Sequence, residues 1–433
     1  MRCHLTARFA TANLTVFLFF LALVCVENLQ ASTTDPKALV VPPDDPYEIR
    51  LVTFSPHDSL FAWFGHSALE VRNNLTGKAH MFNFGGFFFD MEHLLQFTFG
   101  KFVFWSFASE SSQALIPYRR ENRHIVYQTL NLTPQQKTEV RRLLLYHLRQ
   151  ENRFYVYDHF LDNCSTKIRD VIDQAMSGQL KQQSMQPVKP TFRDFVHRMM
   201  AGVPHLDFTT NFILNDSVDQ PITDWDTMFL PDRLMAVIQK AKNPALGNIP
   251  LVAEKIEKNA GAGDFFFTTK ANLVNTVVKE FVLGFFLLAI IGLSAIFYIK
   301  NHQLFSRLYP ALVSVFSMIF GTLGLILFFM MCFTDHKDTY WNENILLLNP
   351  ITFMLGIAGL AAVFGKLKKL FSWLSVVSGL TAFAAFGLKI LPMFDQANGQ
   401  QLRVLLPVLL VIGITGMVEI KNSNQPQSGN IKS

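Results

Sequence analysis

"YDHFLDNCSTKIRD", Tyr157 to Asp170, decides how the first half of this chain is read. It passes from an extended stretch into a segment where Ile168, Val171, Ile172, Ala175 and Met176 recur at spacings of three and four, which predicts an amphipathic helix beginning near Cys164. Asp162 or Asn163 stands where the N-cap belongs. The N-terminus of a helix stabilises a thiolate and lowers its pKa, and the unpaired amides of the first turn can act as oxyanion donors. The competing reading is a small buried hydrophobe that happens to be cysteine.

The rest of the chain sharpens that choice. Half of the 433 residues are hydrophobic and 43 are phenylalanine, too apolar for one soluble domain, while the first half is too polar for a membrane bundle. A net charge of +5 without a basic block argues against a nucleic-acid partner. Residues 1–31 read as a signal peptide, or as an uncleaved anchor: Arg2 and Arg8 lead into "TVFLFFLALVCV", and "LQAS" offers a cleavage point. Residues 32–45 read as a linker, 46–245 as an exported domain, 246–276 as a second linker, 277–420 as a membrane domain and 421–433 as a tail. Five apolar runs are long enough to span a bilayer, at about 281–299, 308–332, 345–364, 371–391 and 404–420. Basic loops ("KNHQLFSR", "GKLKKL") alternate with loops that are acidic or nearly uncharged, which predicts the first domain outside and the C-terminus inside. Of four cysteines, Cys3 and Cys25 lie in the signal and Cys332 ends an apolar run. The exported domain therefore holds Cys164 alone, with no disulfide partner.

A nucleophile needs a base, and "FGHSALEV" puts His66 at the start of a predicted strand. The alternating segments "EIRLVTF", "SALEVRN" and "AHMFNFGG" read as strands, the last two joined by "NNLTGK". If that loop sets Arg72 opposite Ala79, Asn83 shares the face of His66 one diagonal away and can orient the imidazole, while His80 faces the other side. A one-residue slip would exchange Asn83 for His80. "TPQQKTEVRRLLLYHLRQEN" predicts a helix capped by Thr133 with Pro134 in its first turn. "RDFVHRMM" and "PDRLMAVIQKA" predict shorter ones, and the phenylalanine-rich "GGFFFD" and "FTFGKFVFWSF" read as core rather than lipid contact.

Taken together, "FGHSALEV", "FNFGG", "ENRHIVYQTLNLT", "YDHFLDNCSTKIRD" and "DQPITDWDTMFLP" resemble the periplasmic domain of the Lnb-type lipoprotein transacylases, over roughly Pro46 to Ala241. "TDHKDTYWNENILLLNP" (Thr334–Pro350) resembles the polar outward loop of full-length members. The resemblance implies an α+β fold: a circularly permuted papain-like (NlpC-like) exported domain followed by a five-helix transmembrane domain. Lecithin:retinol acyltransferase shares the order, histidine before an Asn-Cys pair like Asn163-Cys164. It further implies acyl transfer from the diacylglyceryl group of a lipoprotein to its N-terminal amine, at the outer face of a bacterial inner membrane. Cys164 would be the nucleophile and His66 the base, backbone amides at the Cys164 helix start would hold the oxyanion, and no metal or diffusible cofactor would be needed. Asp162 and Asn163, together with His336, Trp341, Asn342 and Asn344 of the loop, are candidate contacts to a membrane lipid or lipoprotein. The loop reads equally as an interfacial belt, and His336 is a rival base. Two alternatives remain: a phospholipase, amidase or peptidase on the same dyad, distinguished by its product, and a non-enzymatic membrane assembly factor, distinguished by an unreactive thiol.

Overall fold

The computed structural model describes residues 46–57, 62–88, 90–200, 203–259 and 273–424, with side chains of the first span described from Val278. The expected signal segment, the linker at 32–45 and the end of the C-terminal tail lie outside these residues. The chain divides into two units: one runs to Pro187 and resumes over Thr223–Phe266, the other comprises Val188–Ile222 and everything from Phe267.

The first unit is built on one antiparallel sheet. Its strands are β1 (Tyr47–Phe54), β2 (His66–Asn73), β3 (Ala79–Phe87), β4 (Val103–Glu110), β5 (Ile125–Leu130), β6 (Phe154–Val156) and β7 (Val252–Lys258), in the order β7-β5-β1-β2-β3-β4-β6. Strand alternation gives the sheet two buried faces. Ile49 and Leu51 of β1 and Leu69 and Val71 of β2 pack under the helices Pro134–Leu148, Cys164–Ala175 and Pro231–Lys240, through Val140, Leu144, Ile168, Ile172, Leu234 and Ile238. Val52, Phe54, Ala68 and Met81 face the other way, against Leu115 and Tyr118. The first of these helices begins as its sequence predicts: Thr133 Oγ1 accepts from the Gln136 amide at 3.2 Å, and the Gln136 side chain returns to the Thr133 amide at 2.9 Å.

Two expected boundaries are corrected. The supposed linker at 246–276 contains β7, which pairs with β5 from Val252 opposite Leu130 to Lys258 opposite Ile125. Only Val252 of "VAEKIEK" is fully buried; the strand is a sheet edge dressed with lysine and glutamate, which protects an edge but hides the alternation. The supposed domain 46–245 also loses Val188–Ile222 to the second unit. In that segment the helices Phe192–Met200 and Pro204–Ile213 are fixed by Arg193, which is 6% exposed. Its guanidinium donates to the carbonyls of Asn211 (3.0 Å), Leu214 (3.1 Å) and Asn215 (2.7 Å) and to Asp219 Oδ2 (3.1 Å).

Among the described residues the second unit holds five helices long and apolar enough to cross a membrane: Val278–Ile299, Phe305–Phe333, Glu343–Val363, Lys368–Ile390 and Gly399–Ser423. The third opens as a 3-10 turn and becomes α-helical at Pro350, where Asn349 Oδ1 accepts from the amides of Ile351 (3.0 Å) and Thr352 (3.2 Å). Small residues let the fourth and fifth spans close on one another: a Cβ on Gly379 would lie 2.7 Å from the Gly413 Cα. The segment Val188–Ile222 is held by the two loops that sequence charge places outside. The Asn215 amide donates to Asp338 O at 2.7 Å, Asn342 and Asn344 both donate to Phe212 O (3.1 and 2.9 Å), and Gln396 donates to Leu214 O at 3.0 Å.

One contact in this junction titrates. His197 Nδ1 lies 2.7 Å from Oδ1 of Asp207, a buried carboxylate that also accepts from Asn211 and Gln400. The hydrogen bond to Asp207 is the main cause raising the His197 pKa above its ordinary 6.5; burial opposes it, and the charges of Asp207, Glu280 and Asp194 add to it. A histidine whose pKa is raised on folding stabilises the fold fully below its unfolded value, and that contribution is lost as pH rises through the folded value. Thermal unfolding of the purified full-length protein should therefore show a midpoint that falls from about pH 6 to about pH 9, with the fall reduced in His197→Gln. An identical pH slope in the variant would assign the slope to other groups.

Candidate active site

Cys164 stands where the first residue of β2 meets the first residue of the Cys164–Ala175 helix. Asn163 makes that helix start. Its Oδ1 accepts from the amides of Ser165 (2.8 Å) and Thr166 (3.0 Å), and its Nδ2 donates to the carbonyls of His159 (2.8 Å) and Phe229 (3.0 Å). Its own amide donates to Thr166 Oγ1 at 2.7 Å, closing a capping box. The side chain is thus fully engaged and 3% exposed, so it positions the nucleophile and has no valence left for a substrate. The expectation of several oxyanion donors narrows for the same reason: with Ser165 and Thr166 capped, the Cys164 amide is the one of the three without an acceptor among the described residues. Asp162 pairs with Lys167 at 2.8 Å.

The base side follows from register. Arg72 pairs with Ala79 and Leu69 with Phe82, so His66 and Asn83 share one face. His66 Nε2 meets Asn83 Oδ1 at 3.0 Å. That leaves Nδ1 available to the thiol, to which His66 contributes both charge and a hydrogen bond. Asn83 is 4% exposed, and the ring edge is accommodated by Gly85, where a Cβ would lie 3.4 Å from His66 Cε1. His80, the rival, is exposed at the far end of β3. Phe54 and Tyr118 stack parallel to the imidazole, with centroids at 5.9 and 6.2 Å.

The thiol is pulled two ways. Burial pushes its pKa up; the His66 charge, the His66 hydrogen bond, the Ser67 amide and the Ser165 hydroxyl pull it down, and the net direction is down. Ser165 Oγ lies 3.9 Å from the sulfur and is itself paired with Ser67 Oγ at 3.2 Å, so one buried contact ties the nucleophile helix to the histidine strand. Sequence reasoning missed both serines; their only signal was adjacency to Cys164 and His66. Tyr155 and Tyr157 stand close by. Burial first and the Cys164 charge second raise both phenols, which keeps them neutral beside the sulfur. This is a half-buried thiol, activated by an imidazole that an amide orients, and it can form a covalent acyl intermediate.

Two family models match the chain: the Lnb N-terminal periplasmic domain over residues 42–199 and the Lnb transmembrane domain over 274–422. The chain belongs to the Lnb family. No curated protein and no solved structure matches it. As an Lnb protein it is a multi-pass membrane protein with an extracytoplasmic N-terminal domain, and membership suggests a membrane-anchored role in lipoprotein processing.

The remaining candidate residues lie in the second unit. Asn342 and Asn344 are buried and committed to protein: besides Phe212 O, Asn342 Oδ1 accepts from Gln396 (3.1 Å) and Asn344 Oδ1 from Asn398 (3.0 Å). Their amides build the loop, which corrects the expectation that they contact substrate. His336 is half-buried in the same loop. Trp341 differs from all of these: it is 91% exposed and held at φ 56°, a left-handed conformation that a bulky side chain rarely adopts. Among the described residues no cluster of histidine, cysteine, aspartate or glutamate could hold a metal ion.

Proposed function

We propose that this protein is a thiol-dependent acyltransferase that moves an acyl chain from the diacylglyceryl group of a membrane lipoprotein to that lipoprotein's N-terminal amine. The observation that carries the reading is the Asn83–His66–Cys164 line, with its lowered thiol pKa, at a helix start. The Cys164 thiol gives its proton to His66, and the thiolate attacks the ester carbonyl. The C–O bond then breaks, the glyceryl alkoxide leaves with the proton from His66, and the acyl group remains on sulfur as a thioester. The amine attacks next, giving its proton to His66, and collapse forms the amide and releases the thiol. The Cys164 amide donates to the oxyanion. The order His66, Asn83, Cys164 along the chain accords with a permuted papain-like arrangement. Trp341, exposed at a loop predicted to lie at bilayer depth, suits an interfacial contact.

The orientation belongs to the same reading. Val188–Ile222 is inserted in the extracytoplasmic half and bonds to the loops around Asp338 and Gln396, so those loops share its side. The fifth span then carries the chain to the cytoplasmic face.

The alternative keeps the dyad and changes the acceptor: water on the same thioester makes the protein a lipase. Full-length protein in vesicles with a diacylglyceryl lipopeptide distinguishes the two by mass spectrometry. Transfer leaves the substrate mass unchanged and moves one acyl group onto nitrogen; hydrolysis loses that mass as free fatty acid. An untouched lipopeptide would overturn both.

A further inference from the structure

The helix Met91–Thr98 does something a helix on a soluble domain seldom does: none of its residues is buried. Met91 is 63% exposed and Leu95, one turn on, 54%; Phe88, just before the Asp90 cap, is 41% exposed. Phe88, with Phe97 (38%) and Phe99 (44%), belongs to the phenylalanine-rich stretches that the sequence alone assigned to core, and the structure corrects that expectation for these three. A second exposed apolar strip lies on the sheet edge: Phe154 (46%) and Val156 (61%) project from one face of β6, and Leu161 (63%) follows just before the Cys164 helix. The two strips are joined by rings. Phe102 meets Phe97 of the helix at 3.9 Å and His159 at 5.4 Å, His159 meets Tyr157 at 5.5 Å, and Tyr157 feels the charge of Cys164. Arg153 lays its guanidinium 5.3 Å from the Phe154 ring, an arrangement in which an apolar body is tipped by a charge.

Exposed apolar side chains gathered on one helix and on the nearby sheet edge mark an interaction site. The chain itself identifies the partner. Five spans keep this domain beside a bilayer, and the covalent path toward the first span leaves from β7, the sheet edge opposite β6. An apolar shelf on the β6 side gives the domain an attachment to that surface in addition to the chain crossings at Pro187–Val188, at Ile222–Thr223 and after β7. We propose that the shelf formed by the Met91–Thr98 helix and the β6 edge is a lipid-binding face that seats in the extracytoplasmic leaflet. It thereby presents the ester region of membrane-embedded substrates to Cys164. The contact stands independently of the acyl-transfer reading; only the consequence for substrate delivery rests on it.

The test uses full-length protein in phosphatidylcholine vesicles, with Cys3, Cys25, Cys164 and Cys332 replaced and a fluorescent thiol label placed through Met91→Cys, Leu95→Cys or Leu75→Cys. Leu75, 82% exposed at the turn between β2 and β3, is the control. Lipid brominated in its acyl chains should quench the labels at 91 and 95 and leave the one at 75 bright. Equal quenching at all three sites overturns the proposal. So do labels at 91 and 95 that neither brominated lipid nor aqueous iodide reaches, since protein then covers the shelf. This readout needs no activity, so the proposal and the acyl-transfer reading fail separately. In a background with Cys164 retained, Met91→Glu combined with Leu95→Glu should lower transfer from a vesicle-embedded lipopeptide about tenfold while iodoacetamide alkylates Cys164 at the wild-type rate. Unchanged transfer would remove the delivery role.

Discussion

Cys164→Ala and His66→Ala are each expected to lower acyl transfer by about four to six orders of magnitude, and the double variant to lose little more than either alone. The reason is that neither group is useful without the other. Removing the sulfur removes the atom that holds the acyl group. Removing the imidazole leaves a thiol on which burial acts without its main counterweight. That imbalance makes a second, directional result available from His66→Ala. In the wild type, the rate of alkylation of Cys164 should rise with pH through a midpoint below that of an ordinary thiol. In His66→Ala the midpoint should move above the wild-type one, because desolvation still opposes the thiolate while the imidazolium charge and its hydrogen bond are gone. Both variants should insert and fold, since His66 sits at the first position of its strand and Cys164 at the first of its helix. Near-normal transfer by Cys164→Ala would end the nucleophile assignment. A midpoint unmoved by His66→Ala would transfer the activating role to another group, with His336 the first to try.

How much of this could be read from the sequence differs from element to element, for identifiable reasons. The pairing of His66 with Asn83 was legible because strand parity is strict and "NNLTGK" closes the hairpin with Arg72 opposite Ala79; one slip would have substituted His80. The start of the Cys164 helix was legible because capping is local. Its consequence was not: the same Asn163 oxygen that caps the helix takes two amides away from any oxyanion, and both bonds meet on that oxygen only in the folded chain. β7 escaped because an edge strand protects itself with the same lysines and glutamates that make a segment look like a linker. The helices of Val188–Ile222 were partly legible, but not their allegiance. Arg193, Asn215 and Asp219 look like surface polar residues until their partners, several of them backbone carbonyls, are known. Phe88, Phe97 and Phe99 failed in the opposite sense, because composition reports that a residue is apolar and says nothing about what covers it.

Asn163 makes the second large prediction. Asn163→Ala deletes the N-cap of the nucleophile helix and leaves the His159 and Phe229 carbonyls without the donor they share, which should cost about 2–4 kcal/mol of stability. It should also lower transfer about a hundredfold, because a fraying first turn no longer fixes the sulfur against His66. Stability loss alone could mimic that result, so the informative variant is Asn163→Asp. Aspartate keeps an oxygen for the Ser165 and Thr166 amides and so preserves the cap, but it loses both donated bonds and sets a negative charge beside Cys164. A like charge disfavours the thiolate, so the alkylation midpoint should rise in Asn163→Asp, and transfer should recover as pH is raised. In Asn163→Ala no charge is added, and raising the pH should restore little. If the two variants instead show the same pH profile, the thiol does not feel this position electrostatically. Asn163 would then serve only to tie the backbone at His159 to the backbone at Phe229.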